Sequence, residues 1–182
     1  MTNPWETELG KTLWKNSTAF WSFIRGKLRL GWNTHPFKIA LINKKRYQIQ
    51  NPNPKGKKQT VWGFDCEMCH KTFPIKEGQV DHIIPAGSLT CREDIQGFVE
   101  RLLCVSETDL RLVCKGCNNA LAMSQKTGMS YEECIIEKQA IEIIKQKKDK
   151  QFLSEAGVTP ASNAKKRREQ LLELLKEKSN VT

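Results

Sequence analysis

Two closely spaced cysteine pairs, Cys66-x2-Cys69 and Cys114-x2-Cys117, are the residues best suited to hold a metal ion. Each pair can present both thiolates to one ion, and two pairs complete the tetrahedral four-thiolate shell of structural Zn²⁺. The alternatives are two disulfides, or buried cysteines that act as small apolar residues. The total of seven cysteines is odd, and the opening residues MTNPWETELG lack the pattern of a secretion signal. We therefore expect a reducing compartment and a zinc site, with Cys91, Cys104 and Cys134 as packing residues.

Between the pairs lies an Asp81-His82 dipeptide, and Asn118 directly follows the last cysteine. A histidine has an unperturbed pKa of about 6.5, so at cellular pH its neutral imidazole can accept a proton from water. One carboxylate oxygen and one amide oxygen form a hard, incomplete shell, which suits Mg²⁺ or Mn²⁺ with water ligands retained. These side chains could therefore assist a hydrolysis at a divalent cation.

The elements that must position these side chains are two strands and a helix. The run QVDHII, from Gln79 to Ile84, is typical of a short strand, and LRLVC, from Leu110 to Cys114, of a second. A helix is predicted from Asn118 or Asn119 to about Lys126, ended by Gly128. Successive residues of a regular strand point to opposite faces, so a bulge or the strand end must break the pleat if Asp81 and His82 serve one site.

The ordered combination CEMC, VDHIIP and TDLRLVCKGCNN resembles the HNH endonucleases, in the zinc-ribbon-bearing subgroup common in phages. The resemblance covers about residues 61–128. It implies an α+β fold, in which a small zinc-stapled ββα-metal nuclease core carries mostly helical N- and C-terminal extensions. It also implies a metal-dependent DNA endonuclease, phage-encoded, with His82 as general base and a catalytic Mg²⁺ or Mn²⁺ held by Asp81 and Asn118. Homing, restriction, recombination and packaging all stay open as roles.

Two positions depart from the commonest pattern of this family. Asn118 stands where a histidine is usual, and Asp109 stands where the middle asparagine is usual, five residues before the third cysteine. An ionised aspartate accepts hydrogen bonds but donates none, so Asp109 is expected to orient and polarise His82. This departure keeps an alternative open: a non-catalytic zinc-ribbon module that binds DNA or assembles on another protein.

The positive charge of the chain is concentrated in residues 1–60, which hold 12 Lys or Arg against two acidic residues. The same segment holds four of the five tryptophans. Basic side chains interleaved with aromatic ones suit a nucleic acid, so this segment is predicted to be a DNA-binding arm. The alternative is a helical arm whose aromatic side chains pack on the core while its lysines face solvent. The predicted phosphate contacts are Arg25, Lys27, Arg29, Lys38, Lys44, Lys45 and Arg46.

The sequence divides into an arm (1–60), a nuclease core (61–128) and a helical C-terminal extension (129–182). Residues 5–30 are predicted helical, 39–49 helix or strand, and 51–58 a loop because of its prolines and Gly56. Between the two strands of the core, residues 92–104 carry apolar residues at helical spacing, which predicts a helix packed near the site.

The C-terminal extension begins with a capping box, Ser130 and Glu133, before a helix predicted to run through IIEKQAIEIIKQKKDKQFL. Gly157 is expected to end it, and Thr159-Pro160 to begin a last helix. In that helix Lys165, Lys166, Arg167 and Arg168 either contact phosphates or face solvent. Leu171, Leu172, Leu174 and Leu175 dock on the core or on a second subunit, so a homodimer and a phage protein partner stay open. No stretch is apolar enough to span a membrane, and we expect a cytoplasmic protein.

Overall fold

The computed structural model describes residues 2–54, 56 and 58–180. Helices and small antiparallel sheets share the chain, which confirms the α+β class. Two compact units form, Met1–Cys114 and Lys115–Thr182. The divisions predicted at 60 and 128 do not coincide with this one, because residues 1–60 belong to the first unit.

The first unit opens with three helices: α1 (Glu8–Leu13), α2 (Ser17–Asn33) and α3 (Pro36–Lys45). Side-chain caps fix the first two starts, since Thr7 accepts from the backbone of Gly10 and Asn16 from that of Ala19. Proline at the first position begins α3. The helical prediction for residues 5–30 is confirmed. The segment 39–49 contains both of the predicted alternatives, the end of α3 and the start of a strand.

Two small antiparallel sheets follow in the first unit. One has the order β1 (Tyr47–Gln50), β2 (Thr60–Asp65), β3 (Thr72–Pro74). The other pairs β4 (Gly78–His82) with β5 (Leu110–Cys114) in unbroken register, from Gly78 opposite Cys114 to His82 opposite Leu110. Both predicted core strands are confirmed, whereas β2 and β3 were not predicted. In the predicted loop 51–58, Lys55 and Lys57 lie outside the described residues, and the others form neither helix nor strand.

An apolar cluster of the first unit forms where α4 (Ile95–Leu103) meets α2. Phe98 and Leu102 of α4 are buried there with Trp21, Ala86 and Leu89. Trp5, Phe20 and Trp32 pack against the same cluster, so aromatic side chains of residues 1–60 contribute to the interior. The alternative in which these aromatic residues pack on the core is therefore confirmed for Trp5, Trp21 and Trp32.

The second unit consists of four helices: α5 (Lys115–Thr127), α6 (Tyr131–Lys145), α7 (Asp149–Glu155) and α8 (Ala164–Asn180). The predicted capping box of Ser130 and Glu133 opens α6. Leu171 and Leu175 of α8 are buried with Ile136 and Ala140 of α6, so they pack inside the C-terminal extension and not on the core 61–128. Among the described helices, none is both long and apolar enough to cross a bilayer.

Three helix limits differ from prediction. Helix α5 begins at Lys115, three residues before the earliest predicted start. The helix predicted to run from α6 through α7 is interrupted, because Lys147 adopts a φ of 58° and Lys148 donates to the carbonyl of Ile143 at 3.0 Å. The last helix starts at Ala164 and not at Thr159-Pro160, since the Asn163 side chain accepts from the first backbone amides.

Candidate metal centre and the surroundings of His82

The four predicted zinc ligands, Cys66, Cys69, Cys114 and Cys117, are brought together. Their sulfur atoms all lie within 4.8 Å of one another. A tetrahedral Zn²⁺ with zinc–sulfur bonds of about 2.3 Å separates its sulfurs by about 3.8 Å, so a small adjustment suffices to bind the ion. Within the described part of the chain, this is the one group of three or more Cys, His, Asp or Glu ligand atoms at such spacing. The donor set therefore fits a metal such as zinc.

A tight turn between β2 and β3 presents the first two thiolates. The amide of His70 donates to the carbonyl of Cys66 at 2.8 Å, and the amide of Cys66 donates to Lys71 at 3.0 Å. His70 closes this turn with a φ of 56°, a conformation in which histidine is enriched among non-glycine residues. The turn from Cys66 to Lys71 is called the first knuckle below.

The first knuckle is fixed to β5 by hydrogen bonds around Glu67. Its amide donates to the carbonyl of Leu112 at 3.0 Å, and its carboxylate accepts from the amide of Leu112 at 2.5 Å. Lys45 forms an ion pair with the same carboxylate at 2.9 Å. The second cysteine pair begins at the end of β5, so these contacts place the two pairs side by side.

The surroundings of the Cys66 thiol favour its ionised form. Burial raises the pKa of this thiol, but hydrogen bonds from the backbone of Cys114, Cys69 and Met68 lower it by more, so that the net result is a pKa of about 7. The amide of Cys114 donates to the Cys66 sulfur at 3.2 Å. Because the thiolate is the metal ligand, donors aimed at sulfur favour the binding form.

The remaining three cysteines lie outside this group. Cys134 is buried, Cys91 is half-buried and Cys104 is exposed. The packing role predicted for these three suits Cys134, whereas Cys104 is a surface residue.

His82 lies at the end of β4 between α2 and α4. Its Nε2 is 3.1 Å from the carbonyl oxygen of Leu102, and its ring centroid is 4.1 Å from that of Trp32. A carbonyl oxygen only accepts, so Nε2 carries the hydrogen of the neutral ring. Nδ1 is then the nitrogen with the free lone pair.

Burial lowers the pKa of His82 below its ordinary value. The Leu102 carbonyl and the Asp81 carboxylate oppose this shift, while the charges of His35 and Arg29 add to it. The neutral imidazole is therefore the dominant form at neutral pH.

Asp81, the predicted cation ligand, is paired with Arg111 on the neighbouring strand. Both Nε and Nη2 of Arg111 lie 2.8 Å from Oδ2 of Asp81. The two side chains are each less than one-fifth exposed, at 17% and 18%. Because both donors converge on Oδ2, Oδ1 is the oxygen more open to a cation, and a cation there must compete with the guanidinium.

Asp81 and His82 have separate surroundings. The β4–β5 register is unbroken to its last pair, so β4 contains no bulge, and the break in the pleat that we expected takes the form of the strand end at His82. Asp81 contacts Arg111, whereas His82 contacts Trp32 and Leu102. The two are near enough for the carboxylate to stabilise the charged imidazole.

The Asp109 carboxylate interacts electrostatically with His82, and its hydrogen bonds are local. Its carboxylate accepts from the amide of Ser106 at 2.8 Å and from the Ser106 hydroxyl at 2.7 Å, which forms a capping box before β5. The hydrogen bond that orients His82 comes instead from the Leu102 carbonyl. Asp109 nevertheless braces the segment after the histidine, because its own carbonyl accepts from the amide of Ile83 at 2.9 Å.

Asn118, the second predicted cation ligand, lies in the first turn of α5, directly after Cys117. It is half-buried. Its position on the chain ties it to the second cysteine pair, as the sequence predicts.

His35 also belongs to this region. Its Nε2 lies 2.9 Å from the carbonyl of Leu103, next to the carbonyl that holds His82, and its ring packs 5.2 Å from that of Trp32. Its Nδ1 is buried without a hydrogen-bond partner in the described structure. A lone His-Pro dipeptide carries no sequence signal for this arrangement.

The predicted phosphate contacts fall into three groups. Lys44 pairs with Glu107 at 2.8 Å and Lys45 with Glu67 at 2.9 Å, so both have structural partners. Arg29 acts electrostatically on His82. The others contact neutral partners: Arg25 the hydroxyl of Ser22, and Lys27, Lys38 and Arg46 the rings of Phe23, Trp32 and Trp62.

The C-terminal basic cluster is partly structural. Arg167 pairs with Asp149 at 2.7 Å, and Arg168 pairs with Glu137. Lys165 and Lys166 are exposed. The solvated-face alternative therefore applies to the lysines, and the arginines connect α8 to α7 and α6.

Comparisons of the chain with protein-family models, with curated proteins and with solved structures gave no match.

Proposed function

We propose that this protein is a metal-dependent DNA endonuclease of the HNH type, with a ββα-metal core in which His82 is the general base. The observation that carries the proposal is the hydrogen bond from His82 Nε2 to the Leu102 carbonyl. It leaves Nδ1 as a proton acceptor on a ring whose lowered pKa keeps it neutral.

The surroundings of His82 also suit the charge that forms when it takes a proton. The Leu102 carbonyl lies in the last turn of α4, where the helix dipole favours a positive charge. The Asp81 carboxylate acts in the same direction. Trp32 holds the ring by packing, so the base is oriented before a water molecule arrives.

Two metal sites belong to the proposal. The four cysteines would hold structural Zn²⁺, which fixes the first knuckle beside the second cysteine pair. Asp81 and Asn118 would hold Mg²⁺ or Mn²⁺, whose charge stabilises the phosphorane-like transition state and the leaving 3′ oxygen. Arg111 is then a competitor for Asp81 and holds the carboxylate in place in the absence of the cation.

Positive charge beside His82 supports a phosphodiester substrate. Arg29 is close enough to lower the pKa of His82, and Lys38 lies over the other neighbour of the base, Trp32. With ten more basic than acidic residues in the chain, a polyanion is the expected substrate class.

A second candidate is a zinc-ribbon module that binds DNA without cutting it. The Asp81–Arg111 pair favours this alternative, because a guanidinium occupies one oxygen of the predicted cation ligand. The capping role of Asp109 favours neither, since the Leu102 carbonyl supplies the orientation that Asp109 was expected to provide.

A plasmid-nicking assay with Mg²⁺ separates the two candidates. The wild-type chain should convert supercoiled DNA to open circles, and His82→Ala should lower the rate by about 10²- to 10⁴-fold, the usual contribution of a general base. His70→Asn is the matched control. His70 is an exposed histidine, and asparagine tolerates the left-handed backbone conformation that His70 adopts. Equal rates for wild type and His82→Ala would support the binding module.

A further inference from the structure

A groove of about 750 Å³ lies on the β1–β2–β3 sheet, away from the residues assigned to catalysis. Trp62 contributes to its apolar lining together with Val61 and Ile75, and among its polar and basic groups are Gln48, Lys58 and Lys76. Among the described residues that line it, none is acidic. A polyanion can therefore enter it without meeting a carboxylate in the lining.

Trp62 presents an indole to solvent in the middle of this surface. It is 44% exposed, although a large aromatic residue is usually buried. Arg46 lies with its guanidinium carbon 4.6 Å from the centroid of the ring. The register places Gln48 directly opposite Trp62 on the neighbouring strand, so the amide and the ring share one face.

The two lysines of the groove are available to bind an anion. Both Lys58 and Lys76 are exposed, and in the described part of the chain neither forms an ion pair, in contrast to Lys44 and Lys45. Exposed lysines on either side of an aromatic ring suit a strand whose phosphates are neutralised while a base stacks.

We propose that this groove binds an unpaired nucleic-acid strand, with Trp62 as the stacking platform for a base and Lys58 and Lys76 as phosphate contacts. In a perfect duplex both faces of each base are covered by neighbouring bases, so only an unpaired base can lie flat on the indole. The groove thus directs the protein to DNA with unpaired nucleotides, such as branched, frayed or flapped DNA. The DNA substrate rests on the proposed function, but the strand binding does not require cleavage.

The groove is within reach of a strand bound at His82. Lys76 precedes His82 by six residues, so the two Cα atoms are at most about 20 Å apart along an extended chain. Phosphates along one DNA strand rise by about 3.4 Å each, so about six nucleotides cover that span. One substrate strand can contact both places.

The test measures binding by fluorescence anisotropy, using the full chain carrying His82→Ala, without added Mg²⁺ and at fixed salt. The probes are a labelled 12-nucleotide oligothymidine and a labelled duplex of the same length. The single strand should bind more tightly than the duplex. Trp62→Ala should weaken single-strand binding by about 5- to 150-fold, the usual effect of removing one stacking residue. Trp62→Phe, which keeps an aromatic face, should retain most of the affinity.

Phe23→Ala is the matched control, since Phe23 is 46% exposed and also carries a cation over its ring, but lies on α2. It should weaken single-strand binding much less than Trp62→Ala does. Lys58→Ala with Lys76→Ala should reduce the slope of log affinity against log salt by about 1.4, or about 0.7 for each phosphate that a lysine no longer neutralises.

Three outcomes would overturn the groove proposal. They are equal effects of Trp62→Ala and Phe23→Ala, duplex binding as tight as single-strand binding, and displacement of the strand by polyglutamate at equal charge concentration. If strand binding depends on Trp62 but the wild-type protein cuts no plasmid, the nuclease proposal is refuted and the groove proposal stands. Plasmid cutting together with strand binding that ignores Trp62 would refute the groove alone.

Discussion

Removal of the metal from the four-cysteine group should unfold the sheet region of the first unit. Three of the four ligands are buried, with Cys66 at 1%, Cys114 at 6% and Cys117 at 3% exposure, so their thiolates cannot turn to water without opening the structure. Structural Zn²⁺ binds such sites with about 10–16 kcal/mol at pH 7. A domain of this size has a net stability of about 5–15 kcal/mol. The free energy lost when zinc is removed is therefore comparable to the whole free energy of unfolding.

The assay combines metal analysis, thiol counting and thermal unfolding. One zinc per chain is expected, because one such group is present among the described residues. Of the seven cysteines four are the predicted ligands and Cys134 is fully buried, so in the zinc form a thiol reagent should react only with exposed Cys104 and, more slowly, with half-buried Cys91. After chelation the four predicted ligands should react as well, and the cooperative thermal transition of the first unit should disappear. Cys114→Ser should behave like the chelated protein, and Cys104→Ser, the matched control, like the wild type.

The reasoning would be refuted by a protein that contains no zinc after purification under reducing conditions, exposes the four predicted ligand thiols to the reagent and still melts cooperatively. A count of three reactive thiols in the denatured, zinc-free chain would instead show two disulfides, the alternative that the cysteine spacing leaves open.

Three further predictions concern the core, His35 and acid stability. Phe98→Ala should lower the free energy of unfolding by about 3–5 kcal/mol in urea titrations, because Phe98 is fully buried and its loss leaves a cavity beside α2; a loss below about 1 kcal/mol would contradict this packing. His35→Ala should lower the free energy of unfolding by about 1–3 kcal/mol in the same titrations, because the Leu103 carbonyl loses its hydrogen-bond donor. An unchanged free energy would argue against that hydrogen bond. The hydrogen bond from Arg167 lowers the pKa of Asp149, so this pair contributes stability above the unfolded value of about 3.9 and loses it as pH falls through the lower folded value. Asp149→Asn should flatten the pH dependence of unfolding below about pH 4, and an unchanged curve would exclude the pair as its cause.

The parts of the fold that sequence predicted are those with local signals. Strand β5 was predicted at its observed limits, since its apolar run ends at Cys114. The capping box of Ser130 and Glu133 fixed the start of α6. The four-cysteine group followed from spacing alone.

The errors have physical causes that local patterns do not carry. Strand β2 was missed because Gly63 in its centre weakens a strand pattern, although glycine is required there to make room for Ile49 on the neighbouring strand. The break after α6 depends on Lys147 in the left-handed conformation, which lysine rarely adopts.

The candidate site shows the same division. The residue types were visible, but the partner of His82 is a backbone carbonyl on a helix twenty residues away, and backbone groups have no sequence signature. Asp109 could have been understood from the sequence, because Ser106 three residues before it forms the same capping pattern as Ser130 and Glu133.

The most direct test of the central claim is rescue of a general-base deletion by free imidazole. His82→Gly removes a ring that packs 4.1 Å from Trp32 and donates to the Leu102 carbonyl, so it leaves a space with a stacking partner and a hydrogen-bond acceptor for imidazole. If His82 is the base, the plasmid-nicking rate of His82→Gly with Mg²⁺ should be restored in part by imidazole, in a saturable manner, and that of wild type should not rise. A His82→Gly protein that nicks as fast as wild type, or that imidazole fails to restore while the four-cysteine zinc site stays intact, would contradict the account.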